Sequence, residues 1–391
     1  MFSFNSPHTP PTAREDDLVL LRLIRSRRVG PATFHRLMAE HGSAVASLRA
    51  LPGIARDAGV EDYASCPESV AAAELKAGRK SGAKLIRYDS PEYPELLRQL
   101  SDAPPLLWVR GNPKALAQPK LAVIGARNAS SLGLRMARGM ANALSEMGIC
   151  IVSGLARGID SAAHEASVKH GTIAVMAGGT DCIYPAENRI LAATICDRGC
   201  LVSEQPPGLE PIARHFPVRN RIISGLSHGV IVIEAASGSG SLITARNALD
   251  QGREVLAVPG HPVDGRAGGC NQLIRDGAVL VRNAEDVLEA LPDLKARMTS
   301  PARQKDEKPQ SAETPARCSE KSSPSKESCM ARVLDRLSPS PTEENALIRD
   351  IGIPASVLAP AIVELELTGR LIRMPGGMIA LSDASSRASR H

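Results

Sequence analysis

Phosphate-binding chemistry is written into this chain at short segments where small residues stand beside arginine. They read Gly125-Ala126-Arg127-Asn128-Ala129-Ser130, Ser153-Gly154-Leu155-Ala156-Arg157-Gly158, and Gly178-Gly179-Thr180 followed by Tyr184-Pro185-Ala186-Glu187-Asn188-Arg189. Further along come Phe216-Pro217-Val218-Arg219-Asn220-Arg221, then Glu234 through Gly240-Ser241, and finally Pro259-Gly260-His261. Glycine and serine let a ligand approach the backbone, whose N–H groups then face it, and arginine supplies the cation. Any one segment on its own could be a tight turn with a solvated arginine. Four arginine-bearing turns on one edge would repel each other unless an anion neutralises them.

Other chemistries find less support. The first turn lacks the G-x-G-x-x-G fingerprint, no acidic residue follows the second strand to hold a ribose, and no G-x-x-x-x-G-K-[ST] occurs. Ser153 and Ser241 have no neighbouring histidine base in sequence, while His164 and His261 stand as single candidates for a general base. Asp160 and Glu234 are candidate carboxylates, although Asp160 suits the first turn of a helix, where negative charge is favoured. The eight cysteines include no C-x-x-C pair, so zinc ligation is not expected. No catalytic residue, cofactor or metal is assigned.

The elements that must carry these turns alternate. Apolar strands are expected at Leu121–Gly125, Ile149–Ser153, Thr172–Ala177, Cys200–Ser203, Val230–Glu234, Glu254–Val258 and Val279–Val281. Helices between them are expected at Leu132–Met147, Ile222–Ser227 and Ser241–Asp250. This alternation implies an α/β fold with a doubly wound parallel sheet over about 104–292, covered on both faces. Ligands of such a sheet bind beyond the carboxyl ends of its strands, where every segment quoted above falls.

Around this unit lie a helical stretch at 16–93, a Ser-, Pro-, Lys- and Glu-rich linker at 299–327, and a last folded part at 329–381. In the first, Gly30-Pro31 and Pro52-Gly53 read as helix breakers resembling helix-hairpin-helix turns. In the last, Ser340-Pro341-Thr342-Glu343 reads as a capping box, Pro354–Thr368 as a helix ending at Gly369, and Leu371–Leu381 as a hairpin. That outline is a winged helix. Its groove-reading helix has no Lys or Arg and carries Glu364 and Glu366, which suits a protein contact better than DNA. Net charge is +5, permitting a nucleic-acid partner. No signal peptide and no apolar run long enough for a membrane is seen, so a reduced cytoplasmic protein is expected.

Val-Ile-Gly-Ala-Arg, Ser-Gly-Leu-Ala-Arg-Gly-Ile-Asp, Tyr-Pro-x-x-Asn, Phe-Pro-x-Arg-Asn-Arg-Ile-Ile-Ser-Gly-Leu, Ser-Gly-Ser-x-x-Thr-Ala and Val-Pro-Gly occur in this order between Leu121 and Leu291. Together they resemble the DprA (Smf) family of natural transformation. The resemblance implies an extended Rossmann-like domain that binds single-stranded DNA in a basic pocket, with a SAM/helix-hairpin-helix-like domain before it and a winged helix after it. It also implies a competence protein that protects incoming DNA, passes it to the RecA recombinase, and works as a homodimer. The expected DNA-binding set is Gly125, Ala126, Arg127, Ser153, Gly154, Arg157, Arg189, Arg219, Asn220, Arg221, Gly240, Ser241 and Thr244. Two departures from the family pattern stand out. Ala126 replaces a usual serine, and Ala186 replaces a frequent basic residue whose charge Arg189 would supply. With aromatics at 2% of the chain, arginine planes and backbone are expected to replace base stacking. The alternative is a nucleotide-hydrolysing enzyme on the same fold, like the nucleoside-monophosphate phosphoribohydrolases. Their Pro-Gly-Gly-x-Gly-Thr turn here reads Ser237-Gly238-Ser239-Gly240-Ser241.

Overall fold

The computed structural model describes residues 16–299, 326–374 and 376–382. The expected linker at 299–327 lies almost wholly outside the described residues. Four helices come first: α1 (Asp17–Ile24), α2 (Pro31–His41), α3 (Ala44–Asp57) and α4 (Glu68–Lys80). Gly30 and Pro31 hold the N-cap and first position of α2, where proline lacks no hydrogen bond it would otherwise make. Pro52-Gly53 does not form the second turn that was expected; it lies inside α3. Buried Leu51 and Ala55 anchor both sides of the pair, and that packing overrides the local break.

The next strand, β1 (Ala83–Arg87), falls within the stretch expected to be helical, yet it is an edge strand of a nine-stranded sheet. After α5 (Glu95–Arg98) follow β2 (Leu106–Gly111), β3 (Lys120–Ile124), α6 (Ser131–Glu146), β4 (Cys150–Ser153) and α7 (Ile159–Ser167). Then come β5 (Thr172–Val175), α8 (Arg189–Arg198), β6 (Cys200–Ser203), α9 (His215–Leu226), β7 (Gly229–Val232) and α10 (Ser241–Asp250). The unit ends with β8 (Glu254–Ala257), α11 (Gly268–Arg275), β9 (Val279–Leu280), α12 (Ala284–Ala290) and α13 (Pro292–Thr299).

The strand order is β1-β2-β6-β5-β4-β3-β7-β8-β9. From β6 to β9 every pair is parallel, and β2 and β1 add antiparallel beside β6. Alternate residues of β3 enter opposite cores: Ala122 and Ile124 in one, Leu121 and Val123 in the other. Both faces are therefore buried, as the apolar runs require. The order reverses between β3 and β7, which makes their carboxyl ends the topological switch point. One helix differs from expectation in a way that matters below. α9 begins at His215 rather than Ile222, and so takes in the whole Phe216–Arg221 segment. Pro217 sits among the first residues, whose N–H groups have no intrahelical acceptor, so it does not break the helix.

The last unit has its own core around Leu347, Leu358, Ile362 and Leu365. It consists of α14 (Lys326–Arg336), β10 (Thr342–Glu343), α15 (Glu344–Ile351), α16 (Ala355–Leu367), β11 (Leu371–Met374) and β12 (Met378–Leu381). The expected capping box is instead the small strand β10, with Thr342 buried and paired to Ile379. The open edge of β12 offers ladder hydrogen bonds, and α15 starts one residue later with no side-chain cap.

A buried polar network welds the first helices to the sheet. Arg25 makes two hydrogen bonds to Glu74 at 2.9 Å and one to the Glu204 carbonyl at 3.0 Å, while Trp108 Nε1 donates to Glu74 at 2.9 Å. Gly78 lies directly over the indole: a Cβ there would come within 2.1 Å of Trp108. Gly78→Ala is therefore expected to destabilise the fold by about 1–3 kcal/mol through overpacking. Gly139→Ala, in open space on α6, should stabilise it by about 0.5–1 kcal/mol. Urea unfolding of the two variants checks both signs.

Candidate nucleic-acid interface

The site is assembled from turns that hold one another at close range. Gly158 has φ 76°, and a Cβ there would stand 2.3 Å from the Ala126 carbonyl and 2.5 Å from that of Arg127. Only glycine lets the β4 turn lie against the β3 turn in this way. Ile159 N then donates to the Ala126 carbonyl at 3.2 Å. From the other side of the switch point, Ala126 N donates to the Glu234 carbonyl at 2.6 Å and Ser241 Oγ to the Gly125 carbonyl at 2.7 Å. Leu155 takes the left-handed φ of 55°, uncommon for its type. Asn188 fastens it by donating to its carbonyl and to Ser161 Oγ at 2.9 and 2.8 Å.

Beneath the loop lie two carboxylates that sequence reading left open as catalytic. Asp160 is buried and accepts from Gly154 N and Ala156 N at 3.1 and 3.4 Å. Burial raises its pKa, against the pull of nearby Arg219 and the amides. Glu234 accepts from Ser130 N at 2.8 Å below the start of α6, and burial raises its pKa too. Both hold backbone in place rather than facing outward. His164 is fully buried, with Nδ1 2.8 Å from Thr172 Oγ1; burial, aided by Arg219, lowers its pKa to about 3. It is a neutral structural imidazole. His261 is exposed in the loop after β8.

The thirteen expected DNA contacts do not all share one surface. Arg127 is exposed and lies 5.2 Å from the centre of the Phe216 ring. Arg157 is exposed and ion-paired with Glu187, a contact that raises the pKa of the arginine and lowers that of the carboxyl. Arg189 is exposed at the first position of α8. Exposed Gly240 and half-buried Ala126, Ser241 and Asn220 lie near or on the same edge, while Gly125 and Gly154 are buried just after β3 and β4.

Four residues are placed differently. Ser153 is buried and donates to the Val123 carbonyl at 2.7 Å, joining β4 to β3. Thr244 is buried inside α10. Arg219 is 5% exposed and donates to the Val175 carbonyl at 3.0 Å, and its guanidinium sits under Gly154, where a Cβ would meet it at 1.6 Å. Burial lowers its pKa to about 10, with Asp160 opposing. Arg221 turns away entirely, to Glu204 at 2.5 Å and Asp102 at 3.4 Å at the join with the first helices. Residues two apart on a helix point about 200° apart, so a helical Phe216–Arg221 segment cannot present both arginines to one ligand.

The structure also adds residues. Tyr184, 53% exposed, packs edge-on against Phe216 with ring centres 5.7 Å apart. Arg214, the exposed N-cap of α9, precedes them. Arg127, Arg189 and Arg214 form no ion pair among the described residues. Aromatics are scarce, as the composition indicates, but of nine aromatic side chains in the chain two, Tyr184 and Phe216, meet at this edge. Their scarcity elsewhere was the signal available in the sequence.

The family described as DNA recombination-mediator protein A matches residues 84–292. A DprA-like N-terminal HHH domain matches 14–77, and a DprA winged helix domain matches 317–377. DNA processing protein DprA from Bacillus subtilis is 44% identical over 230 residues, 58% of this chain and 77% of that protein. The X-ray structure of DNA processing protein A from Streptococcus pneumoniae superposes with TM-score 0.61 at 36% identity, over 71% of this chain and 98% of that one. DNA processing protein A from Helicobacter pylori, described for its single-stranded DNA binding mode, gives TM-score 0.50 at 29% identity over 55% and 98%.

Two outcomes test this anatomy. Arg219→Ala leaves the Val175 carbonyl without its donor and empties the space under Gly154, and should cost about 2–5 kcal/mol of stability. Arg127→Ala should stay within about 0.5 kcal/mol of the parent in the same thermal unfolding series. The second outcome concerns pH. The unfolded chain protonates His164 near its ordinary value of about 6.5, and the folded one only near 3. Stability must therefore fall as pH drops through that window, by up to about 1.4 kcal/mol per unit from this group. In His164→Gln the pH dependence of urea midpoints between 6.5 and 3 should be shallower.

Proposed function

The chain belongs to the DNA recombination-mediator protein A family, also called DprA or Smf, and on that premise we propose that it is a non-catalytic mediator that binds single-stranded DNA. The observation that carries this reading is Arg127, exposed and without an ion pair among the described residues, 5.2 Å from the Phe216 ring of the Tyr184–Phe216 pair, with Arg189 and Arg214 exposed and likewise without an ion pair on the chain segments that bear those rings. Cations suit successive phosphates, and an aromatic face suits an unstacked base of any identity. A single strand can bend over such a ledge and splay its bases, which a duplex cannot do without unpairing. Of the expected contacts, Ala126, Arg127, Arg157, Arg189, Asn220, Gly240 and Ser241 remain candidates to touch DNA, whereas Gly125 and Gly154 are buried. Arg219 supports the loop from below, and Arg221 belongs to the domain join.

The finer parts of the reading rest on the family: protection of incoming DNA, delivery to the RecA recombinase during natural transformation, action as a homodimer, and a cytoplasmic location. Consistent with a location in solution, no helix among the described residues is long and apolar enough to cross a membrane. Nucleotide hydrolysis, the alternative, would require a carboxylate facing the ligand, and Asp160 and Glu234 are both engaged with loop amides.

Fluorescence anisotropy with a labelled oligo-dT tests the proposal. Arg127→Ala should weaken binding about 10- to 100-fold, the loss of a charge-assisted phosphate contact. With three or four phosphates neutralised, raising salt from about 50 to 200 mM should weaken wild-type binding about 20- to 50-fold. Glu187→Gln should tighten it about two- to fivefold, because Arg157 no longer has a competing carboxylate of its own. Unchanged affinity in Arg127→Ala would remove the ledge from the account, and release of free base from AMP or CMP would favour the hydrolase.

A further inference from the structure

The winged helix does not stand clear of the DNA ledge. Asn128, the residue after Arg127, donates to the exposed carboxylate of Asp335 at the end of α14, at 2.6 Å. Next to it Arg336 donates to the Ala129 carbonyl at 3.0 Å. Arg266, before α11, donates to the Asp335 carbonyl at 2.8 Å and also to the Leu337 carbonyl. A separate pair, Arg138 on α6 and Asp350 on α15, closes the far side at 3.0 Å. Each of these contacts is polar or ionic, and the winged helix has a hydrophobic core independent of the sheet. Such an attachment can open without unfolding either unit.

We infer that the winged helix and a DNA strand compete for the turn that follows β3, so that the docked domain lowers DNA affinity and bound DNA loosens the dock. The inference rests on the DNA-binding reading above. A phosphate seated on Arg127 would lie beside the Asp335 carboxylate, and the two negative charges repel. Of the cations that make this contact, neither Arg336 of α14 nor Arg266 before α11 offsets this for a ligand. The first is engaged with a carbonyl, and the second lies 3.3 Å from Asp264 and 3.6 Å from Glu234. Because the coupling is a difference in binding free energy, it is reciprocal.

A charge swap in the full-length chain tests it. Asp350→Arg breaks the Arg138 pair at a distance from the ledge and should tighten oligo-dT binding about three- to tenfold. Restoring the pair in reverse, with Arg138→Asp together with Asp350→Arg, should return affinity toward wild type, which excludes a folding defect as the cause. Asp335→Asn, which keeps a hydrogen-bonding oxygen and removes the charge, should also tighten binding. Amide exchange over 335–342 should accelerate when oligo-dT is added to the wild type. Weaker or unchanged binding in Asp350→Arg, or protection of 335–342 by oligo-dT, would overturn the inference, since the winged helix would then extend the DNA path instead of closing it. If the wild type binds oligo-dT and only the swap fails, the competition falls alone. If the wild type does not bind, the DNA reading falls with it.

Discussion

A buried guanidinium under a glycine turn is the interaction on which the site depends. Arg219 is almost wholly buried, donates to the Val175 carbonyl, and fills the space that a Cβ at Gly154 would need. Nearby Asp160 favours its charged form and in turn collects the amides of Gly154 and Ala156. Loop, helix α7 and helix α9 are thereby fixed to one another. Phe216, one turn before Arg219 on α9, is held at the ledge, and Arg127 lies over its ring. A cation that the ligand never touches thus sets where the exposed cations stand. Such a group is costly to bury alone and is tolerated because its partners are fixed in place.

The two flanking domains are attached by different physics. The first helices join the sheet through Arg25, Glu74 and Trp108, with Arg25 also reaching the carbonyl of Glu204, whose carboxylate pairs with Arg221, all largely sequestered from water. Removing any one member leaves a buried polar group unpaired, so this joint is stiff. The winged helix meets the sheet through surface pairs, each worth little on its own. Its groove-reading helix α16 is not simply acidic either: Arg373 from β11 pairs with both Glu366 and Glu344. The wing therefore neutralises part of the charge that the sequence placed on that helix, while Asp335 on α14, in no ion pair among the described residues, accepts from Asn128 beside the ledge.

Residue types and spacing were enough to read the alternating strands, the two-sided burial of the sheet, the cationic strand ends and the winged-helix outline, because each depends on local periodicity or on chain order. β1 differs from expectation because a five-residue strand completed by a partner 19 to 27 residues away looks locally like the end of a helical stretch. Pro52-Gly53 and the capping box were misread because packing of Leu51 and Ala55, and a free edge on β12, outweighed the local preference.

What the sequence by itself determined was an inventory: glycines for close approach, arginines for charge, and their order along a parallel sheet. The tertiary structure alone decided direction and company. Arg127, Arg219 and Arg221 look equivalent in the chain, yet one faces solvent over a ring, one is buried beneath a turn, and one pairs at a domain boundary. Side-chain direction depends on helical phase, and a charge depends on which carboxylate reaches it first. Both are set by segments far apart in sequence.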